Sequence, residues 1–128
     1  MKSRILLLDD DAELRSTLRD RLIMEGYDVQ TASNGRLGLK LFLENPVNLV
    51  ITDVLMPEMD GLEVIRVLCG TTSPPKIIAM SGGGNRDLDF MVEATEFGAT
   101  RTLSKPFRLD DFVTLVNDLM SSMPHPHV

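Results

Sequence analysis

Polar residues that could do chemistry follow directly after several apolar runs of this sequence. They are the acidic triplet Asp9–Asp11, then Asp53, Ser81 and Lys105. An aspartate carboxylate can act as a nucleophile toward a phosphoryl group and form an acyl phosphate. A lysine ammonium and a serine hydroxyl can bind the phosphoryl oxygens during that transfer. If these side chains meet, their types indicate phosphoryl transfer to an aspartate.

The same acidic residues indicate a divalent cation. Several carboxylates at one place repel one another unless a cation is present or some of them are protonated. The group contains no histidine or cysteine, and magnesium prefers such an all-oxygen site, with one or two carboxylates and a phosphate oxygen. We therefore expect Mg²⁺ as the cofactor. Gly82, which follows Ser81, has no Cβ and would let the backbone come close to a bound phosphoryl group.

Five apolar runs alternate with segments of helical periodicity, which is typical of repeated βα units. The first, third and fourth runs are continuously apolar, as in strands that helices cover on both faces. Right-handed crossovers between such units give an open, doubly wound parallel sheet, with ligands outside the carboxyl ends of its strands. The sequence therefore predicts an α/β fold whose chemistry lies at one edge of the sheet. The predicted strands are 4–8, 28–32, 48–52, 76–80 and 101–104.

Five helices are predicted from apolar residues three and four positions apart. Asp11 is expected to cap the first helix and Ser33 or Asn34 the second, while Gly26 and Gly98 lie where helices should end. The expected apolar faces are Leu14, Leu18, Leu22 and Ile23 in the first helix, Leu37, Leu41 and Phe42 in the second, Leu62, Ile65 and Cys69 in the third, Leu88, Met91, Val92 and Thr95 in the fourth, and Leu109, Phe112, Val113, Val116 and Met120 in the fifth.

Length and composition restrict the classes of protein. A chain of 128 residues favours one domain, which we place at 1–121, with 122–128 as a C-terminal tail or linker stub. Thirteen basic against nineteen acidic residues give a net charge of −6, which disfavours direct nucleic acid binding. One cysteine, no secretory leader and no apolar run of membrane-spanning length favour a cytoplasmic protein without membrane insertion.

Together these motifs resemble the receiver domain of two-component response regulators, over essentially the whole chain. The matching stretches are ILLLDDD at 5–11, LVITDVLMPEMDG at 49–61, IAMSG at 78–82, GA at 98–99 and KPF at 105–107. The resemblance implies a flavodoxin-like fold of the chemotaxis-regulator type, with five helices and strand order 2-1-3-4-5. It also implies a switch that accepts a phosphoryl group and signals by changing conformation.

The resemblance implies a role for each site residue. Asp53 would be the phosphoacceptor, Ser81 the switch hydroxyl and Lys105 the family's lysine, with a cis bond between Lys105 and Pro106. The implied magnesium ligands are Asp9, Asp10, Asp53 and the backbone carbonyl of Leu55. A receiver is not an enzyme in the usual sense, although it catalyses its own phosphotransfer and dephosphorylation. The implied partners are a sensor histidine kinase or phosphotransfer protein as donor, an unknown output partner or domain, and a second copy of the chain after phosphorylation.

The sequence departs from the family pattern at positions that affect signalling. Thr102 replaces the Tyr or Phe whose rotamer reports phosphorylation in relatives, so we expect the loop Gly82–Gly84 to carry the change of state. In relatives, side chains at two positions can hold the hydrolytic water, and this chain has Leu55 and Gly83 there. Neither residue has a side chain that can donate or accept a hydrogen bond. Slow self-dephosphorylation is therefore expected.

Two other functions remain open from the sequence. A degenerate receiver could serve only as a docking module that does not respond to phosphate. A stand-alone phosphatase could use Asp9 as its nucleophile, since Asp9–Asp11 contains the D-x-D of haloacid-dehalogenase-like enzymes. The second alternative fits poorly because Glu13 stands where that motif has Thr, and because the chain has no room for a substrate-selecting cap.

Overall fold

A computed structural model describes residues 3–56, 58–82 and 87–121, in which five strands alternate with five helices. The expectations for Gly83, Gly84 and the 122–128 tail lie outside these residues. In chain order the elements are β1 (Arg4–Leu8), α1 (Ala12–Met24), β2 (Asp28–Ala32), α2 (Gly35–Glu44), β3 (Leu49–Asp53), α3 (Gly61–Cys69), β4 (Lys76–Ser81), α4 (Asp87–Phe97), β5 (Arg101–Ser104) and α5 (Leu109–Ser121).

The strands form one parallel sheet in the order β2-β1-β3-β4-β5. This order confirms the doubly wound α/β fold. β3 begins and ends one residue later than predicted, and β4 extends one residue further. In the register of the sheet, Leu8 lies beside Thr52, Asp53 beside Met80, and Ser81 beside Ser104. The carboxyl ends of four strands therefore lie side by side.

Each face of the sheet carries its own apolar core, because side chains alternate along a strand. Leu6 and Leu8 of β1 pack on the face covered by α2, α3 and α4. Ile5 and Leu7 pack on the opposite face, against α1 and α5. Burial on both faces explains why the central strands are continuously apolar rather than alternating.

The helix ends follow the predicted capping residues. The Asp11 side chain accepts hydrogen bonds from two amides of the first turn of α1, and Asn34, rather than Ser33, caps α2. Gly26 and Gly98 have φ of 97° and 121°, a conformation that favours glycine after a helix. Local signals therefore determine where these helices start and stop.

The predicted core face of α4 is wrong. Leu88 and Val92 are 70% and 48% exposed, whereas Ala94 is buried and Phe90 packs against the core. The helix carries apolar residues on two sides, and the side with the smaller Ala94 fits against the sheet. Ile23 and Leu37, also expected in the core, are 50% and 40% exposed. No helix in the described part of the chain is long and apolar enough to cross a membrane.

Candidate phosphoacceptor site

The structure brings the predicted site residues together at the carboxyl edge of the sheet. Asp53 and Ser81 are the last residues of β3 and β4, and Asp9 and Lys105 directly follow β1 and β5. Backbone hydrogen bonds extend the sheet past the strand ends, because the Lys105 amide donates to the Ser81 carbonyl at 2.8 Å and the Val54 amide to the Met80 carbonyl at 2.8 Å. Main-chain hydrogen bonds therefore hold the segments that carry Asp53, Ser81 and Lys105.

Three carboxylates form the acidic pocket, which we define as Asp9, Asp10 and Asp53. One carboxylate oxygen from each lies within 4.8 Å of the others. Asp9 is fully buried and Asp53 is 6% exposed, whereas Asp10 is exposed. Asp11 lies outside the pocket because its side chain caps α1. Of the three adjacent aspartates, the fold thus directs two into the pocket and one into the helix terminus.

Lys105 joins two members of the acidic pocket. Its ammonium Nζ lies 2.9 Å from Asp9 Oδ2 and 3.1 Å from Asp53 Oδ2. Three carboxylates and one ammonium leave two formal negative charges, which suits a divalent cation. Asp9, Asp10 and Asp53 would hold that cation, whose positive charge would neutralise their repulsion and attract phosphoryl oxygens.

Burial and charge act in opposite directions on the Asp53 carboxyl. Burial raises the pKa of Asp53 to about 6, although the nearby Lys105 ammonium acts to lower it, and Asp9 and Asp10 raise it further. At neutral pH most of this carboxyl is still ionised and can act as a nucleophile. Burial also acts to lower the pKa of Lys105, but the hydrogen bonds and charges of Asp9 and Asp53 outweigh it, and the pKa is raised. Lys105 is therefore charged at neutral pH.

Ser81 ends β4, the strand next to β3, and its hydroxyl has an unfilled hydrogen-bonding capacity. The side chain is 2% exposed, and among the described residues its Oγ is the one buried side-chain oxygen or nitrogen without a hydrogen-bond partner. A buried hydroxyl of this kind normally has a partner. A ligand oxygen in the acidic pocket could supply it.

Gly82 is exposed, and a Cβ added there would meet no atom within 4 Å. The protein around it therefore does not require glycine. With Leu14, Lys105, Pro106 and Phe107, it lines an open cleft of about 310 Å³. This cleft leaves part of the Lys105 side chain accessible to solvent. The Lys105–Pro106 bond is cis, as the resemblance implied.

The loop between β3 and α3 is held tightly against Asp53. The Gly61 amide donates to the Val54 carbonyl at 2.6 Å, and a Cβ at Gly61 would lie 2.0 Å from the Asp53 carbonyl oxygen. A larger residue would displace the backbone of Asp53. Glu58 in the same loop has φ of 74°, which is uncommon for a non-glycine residue. Leu55, two residues after Asp53, is 56% exposed.

One residue of the site was missed from the sequence. The Arg15 guanidinium donates from Nη1 to the Asp9 backbone carbonyl at 2.6 Å. Side chains in a helix point toward its N-terminus, so an arginine in the second turn of α1 can reach back over the β1–α1 loop. Its position four residues after the capping Asp11 was the signal that could have identified it.

Comparison with known proteins agrees with this geometry. The response regulator receiver domain model matches residues 5–117. The chain belongs to the response regulator receiver domain family. It is 35% identical over 120 residues to the response regulator MprA of Mycolicibacterium vanbaalenii, covering 94% of this chain and 51% of that protein. It is 35% identical over 118 residues to the transcriptional regulatory protein CpxR of Escherichia coli (strain K12), covering 92% and 49%. The chain thus spans about half the length of these relatives.

Solved receiver domains have the same fold. A response regulator receiver domain protein from Clostridium thermocellum superimposes with a TM-score of 0.84 at 31% identity, covering 93% of this chain and 94% of that one. A CheY-like receiver domain protein from Methanospirillum hungatei JF-1 gives 0.86 at 26% identity, covering 94% and 96%. Members of this family are receiver domains rather than classical enzymes. Membership in the family does not favour the alternative in which the chain is only a docking module.

Proposed function

We propose that this receiver domain accepts a phosphoryl group on Asp53 and that Lys105 and Ser81 stabilise the product. The supporting observation is the Lys105 ammonium, which touches Asp53 and Asp9 within a pocket that retains two formal negative charges. An Asp53 oxygen attacks phosphorus, and the bond from phosphorus to the donor's leaving group breaks. Lys105 then contacts one phosphoryl oxygen and the Ser81 hydroxyl donates to another.

The cofactor of this proposal is Mg²⁺. Its ligands would be carboxylate oxygens of the acidic pocket and the backbone carbonyl of Leu55. An all-oxygen donor set favours magnesium over zinc. The resting domain would bind it weakly, because Lys105 already neutralises part of the pocket's charge.

Return to the resting state needs hydrolysis of the acyl phosphate. Water would attack phosphorus, the bond to Asp53 would break, and the products would be the carboxylate and inorganic phosphate. We propose that the domain catalyses this step slowly, because the exposed Leu55 side chain cannot hold the attacking water by a hydrogen bond.

The proposed donor is the phosphohistidine of a sensor histidine kinase or phosphotransfer protein. The output is an unknown partner or a further domain, since the relatives are about twice as long as this chain. We further propose a receiver unit at 1–121, followed by a tail or linker stub at 122–128. This unit would lie in the cytoplasm and would not bind nucleic acid directly. Two copies would associate after phosphorylation.

Labelling by a small phosphodonor tests the proposal. The protein is incubated with acetyl phosphate and Mg²⁺, and intact-mass spectrometry is expected to show one added phosphoryl group that Asp53→Asn lacks. Asp20→Asn is the matched control, because Asp20 is an exposed aspartate of α1 that pairs with Arg19. Labelling of the Asp53→Asn protein to the wild-type extent would overturn the assignment. No labelling of the wild type would favour a docking module instead.

A further inference from the structure

Every polar group of Asp9 has a partner. Its amide donates to the Ala32 carbonyl at 3.2 Å. Its carboxylate accepts from the Asp11 amide at Oδ1 and from Lys105 at Oδ2, both at 2.9 Å. Its carbonyl oxygen accepts from Arg15 Nη1 at 2.6 Å. Of these four partners, Lys105 takes part in the proposed chemistry directly, whereas Ala32 and Asp11 contribute to the fold. The proposed chemistry gives Arg15 no role.

The neighbouring Asp10 is held differently. It is exposed, and its carboxylate makes no hydrogen bond or ion pair with any described residue. Its direction therefore depends on the backbone from which it projects. The Asp9 carbonyl belongs to the planar peptide unit that joins Asp9 to Asp10. A donor that fixes this carbonyl oxygen also fixes the orientation of the chain entering Asp10.

We infer that Arg15 is a positioning residue for the divalent cation site, and that it acts by holding the Asp9–Asp10 peptide so that the Asp10 carboxylate faces Asp53. This inference rests on the proposed metal site and adds a residue to its support. Arg15 touches neither the carboxylates nor the cation in this role. Substitution of a residue that orients a metal ligand commonly changes metal affinity as strongly as substitution of some ligands does.

Because Arg15 is positively charged, the direction of the change in Mg²⁺ affinity on its removal tests the inference. A guanidinium close to the acidic pocket repels a second cation, so its removal would strengthen Mg²⁺ binding if charge were its only effect. If Arg15 positions Asp10, its removal would weaken binding, because Asp10 would have to be ordered when the cation binds. The two roles predict opposite changes in the dissociation constant.

Isothermal titration calorimetry of the full chain with MgCl₂ at fixed ionic strength measures this constant. We expect Arg15→Met to raise it roughly tenfold, and Arg15→Lys, which keeps a donor and the charge, to lie closer to wild type than to Arg15→Met. Arg19→Met is the matched control, because Arg19 lies on the same helix and pairs with Asp20 at 3.0 Å; it should leave the constant unchanged. Thermal melts establish folding, and Arg15→Gln replaces Arg15→Met if that variant does not fold.

The results of this titration distinguish failure of the Arg15 positioning role from failure of the proposed metal site. Unchanged or tighter binding by Arg15→Met, beside normal binding by the wild type, would overturn the positioning role alone. Equal weakening in Arg15→Lys and Arg15→Met would also overturn it, because a retained donor should restore the loop. A wild type that binds no Mg²⁺ would overturn the metal site and the positioning role together.

Discussion

Asp53 shows how one buried carboxyl makes stability depend on pH. Its pKa is raised from 3.8 to about 6, mainly by burial, so the folded state holds the proton more strongly than the unfolded state does. Stability is therefore lost as the pH rises from about 4 to about 6, and the full cost persists above that range. The fold tolerates this cost because Lys105 offsets part of it.

Removal of this ionisation should stabilise the metal-free protein. In a chelator at pH 7.5, we expect Asp53→Asn to raise the free energy of unfolding by up to about 3 kcal/mol. At pH 4 the difference should be much smaller, since the wild-type carboxyl is then protonated in the fold. Urea titrations at both pH values measure this. Equal stability of the two proteins at pH 7.5 would show that the buried charge costs nothing.

Leu55 offers a second prediction at the scale of single residues. Replacing it with Asn supplies a side chain that can hold a water near Asp53, and we expect phosphate release from the labelled protein to accelerate by about tenfold, less than a full general base contributes. Leu43→Asn is the control, because Leu43 is an equally apolar, 68% exposed residue of α2. Adding Gly83→Glu to Leu55→Asn should increase the effect. If neither protein releases phosphate faster, the lifetime is set elsewhere.

The residue types indicated most of the candidate site, because carboxylates, a hydroxyl and a lysine after strands are unusual together. Arg15 was missed because its contact is with a backbone carbonyl, a group present at every residue, and only its spacing from Asp11 pointed to it. The sequence also did not indicate why Gly61 is needed. That reason is the 2.0 Å approach of a Cβ to the Asp53 carbonyl, and only the folded loop creates it.

At the scale of elements, α4 is where periodicity was insufficient. Leu88 and Val92 are one turn apart, and so are Phe90 and Ala94, so the helix has two candidate apolar faces. The choice between them depends on how closely the helix can approach the sheet, which is a property of packing rather than of sequence spacing. The central strands β1, β3 and β4 were easier to predict, because burial on both faces makes their sequences almost continuously apolar.

The orientation of α4 can be tested by stability. We expect Leu88→Gln and Val92→Gln each to change the free energy of unfolding by no more than about 0.5 kcal/mol, because both positions are exposed. Ala94→Leu should cost about 1–3 kcal/mol, since Ala94 is fully buried and a larger side chain would overpack the core. Urea unfolding of the three variants measures this. A large loss for Leu88→Gln with none for Ala94→Leu would mean that the helix is rotated.

At the scale of the whole molecule, alternation of strands and helices was enough to predict a parallel sheet with its chemistry at the carboxyl edge. It was not enough to order the strands, because right-handed crossovers permit several orders. The order β2-β1-β3-β4-β5 came from family resemblance. It matters for function, because placing β1 next to β3 and β4 next to β5 lets Lys105 and Asp9 approach Asp53 from opposite sides.

The response of the whole domain to phosphorylation should begin at Ser81. Its buried hydroxyl has no partner among the described residues, and a phosphoryl group on Asp53 would provide one. Thr102 of β5, which pairs with Ala79, is too small to act as the aromatic rotamer switch of relatives. With beryllium fluoride as a phosphoryl mimic and Mg²⁺ present, we expect the largest loss of amide hydrogen exchange in peptides spanning residues 81–87.

Exchange measured by mass spectrometry on the wild type, with Asp53→Asn as the control that cannot hold the mimic, tests this expectation. Peptides from α5 serve as the internal comparison, because α5 packs on the opposite face of the sheet from α4. A response confined to α5, with residues 81–87 unchanged, would contradict a switch that starts at Ser81. A response in 81–87 that persists in Asp53→Asn would show that the mimic acts elsewhere. The expected pattern, present in the wild type and absent in the variant, would link occupation of the acidic pocket to the end of β4, where the unpartnered Ser81 hydroxyl lies.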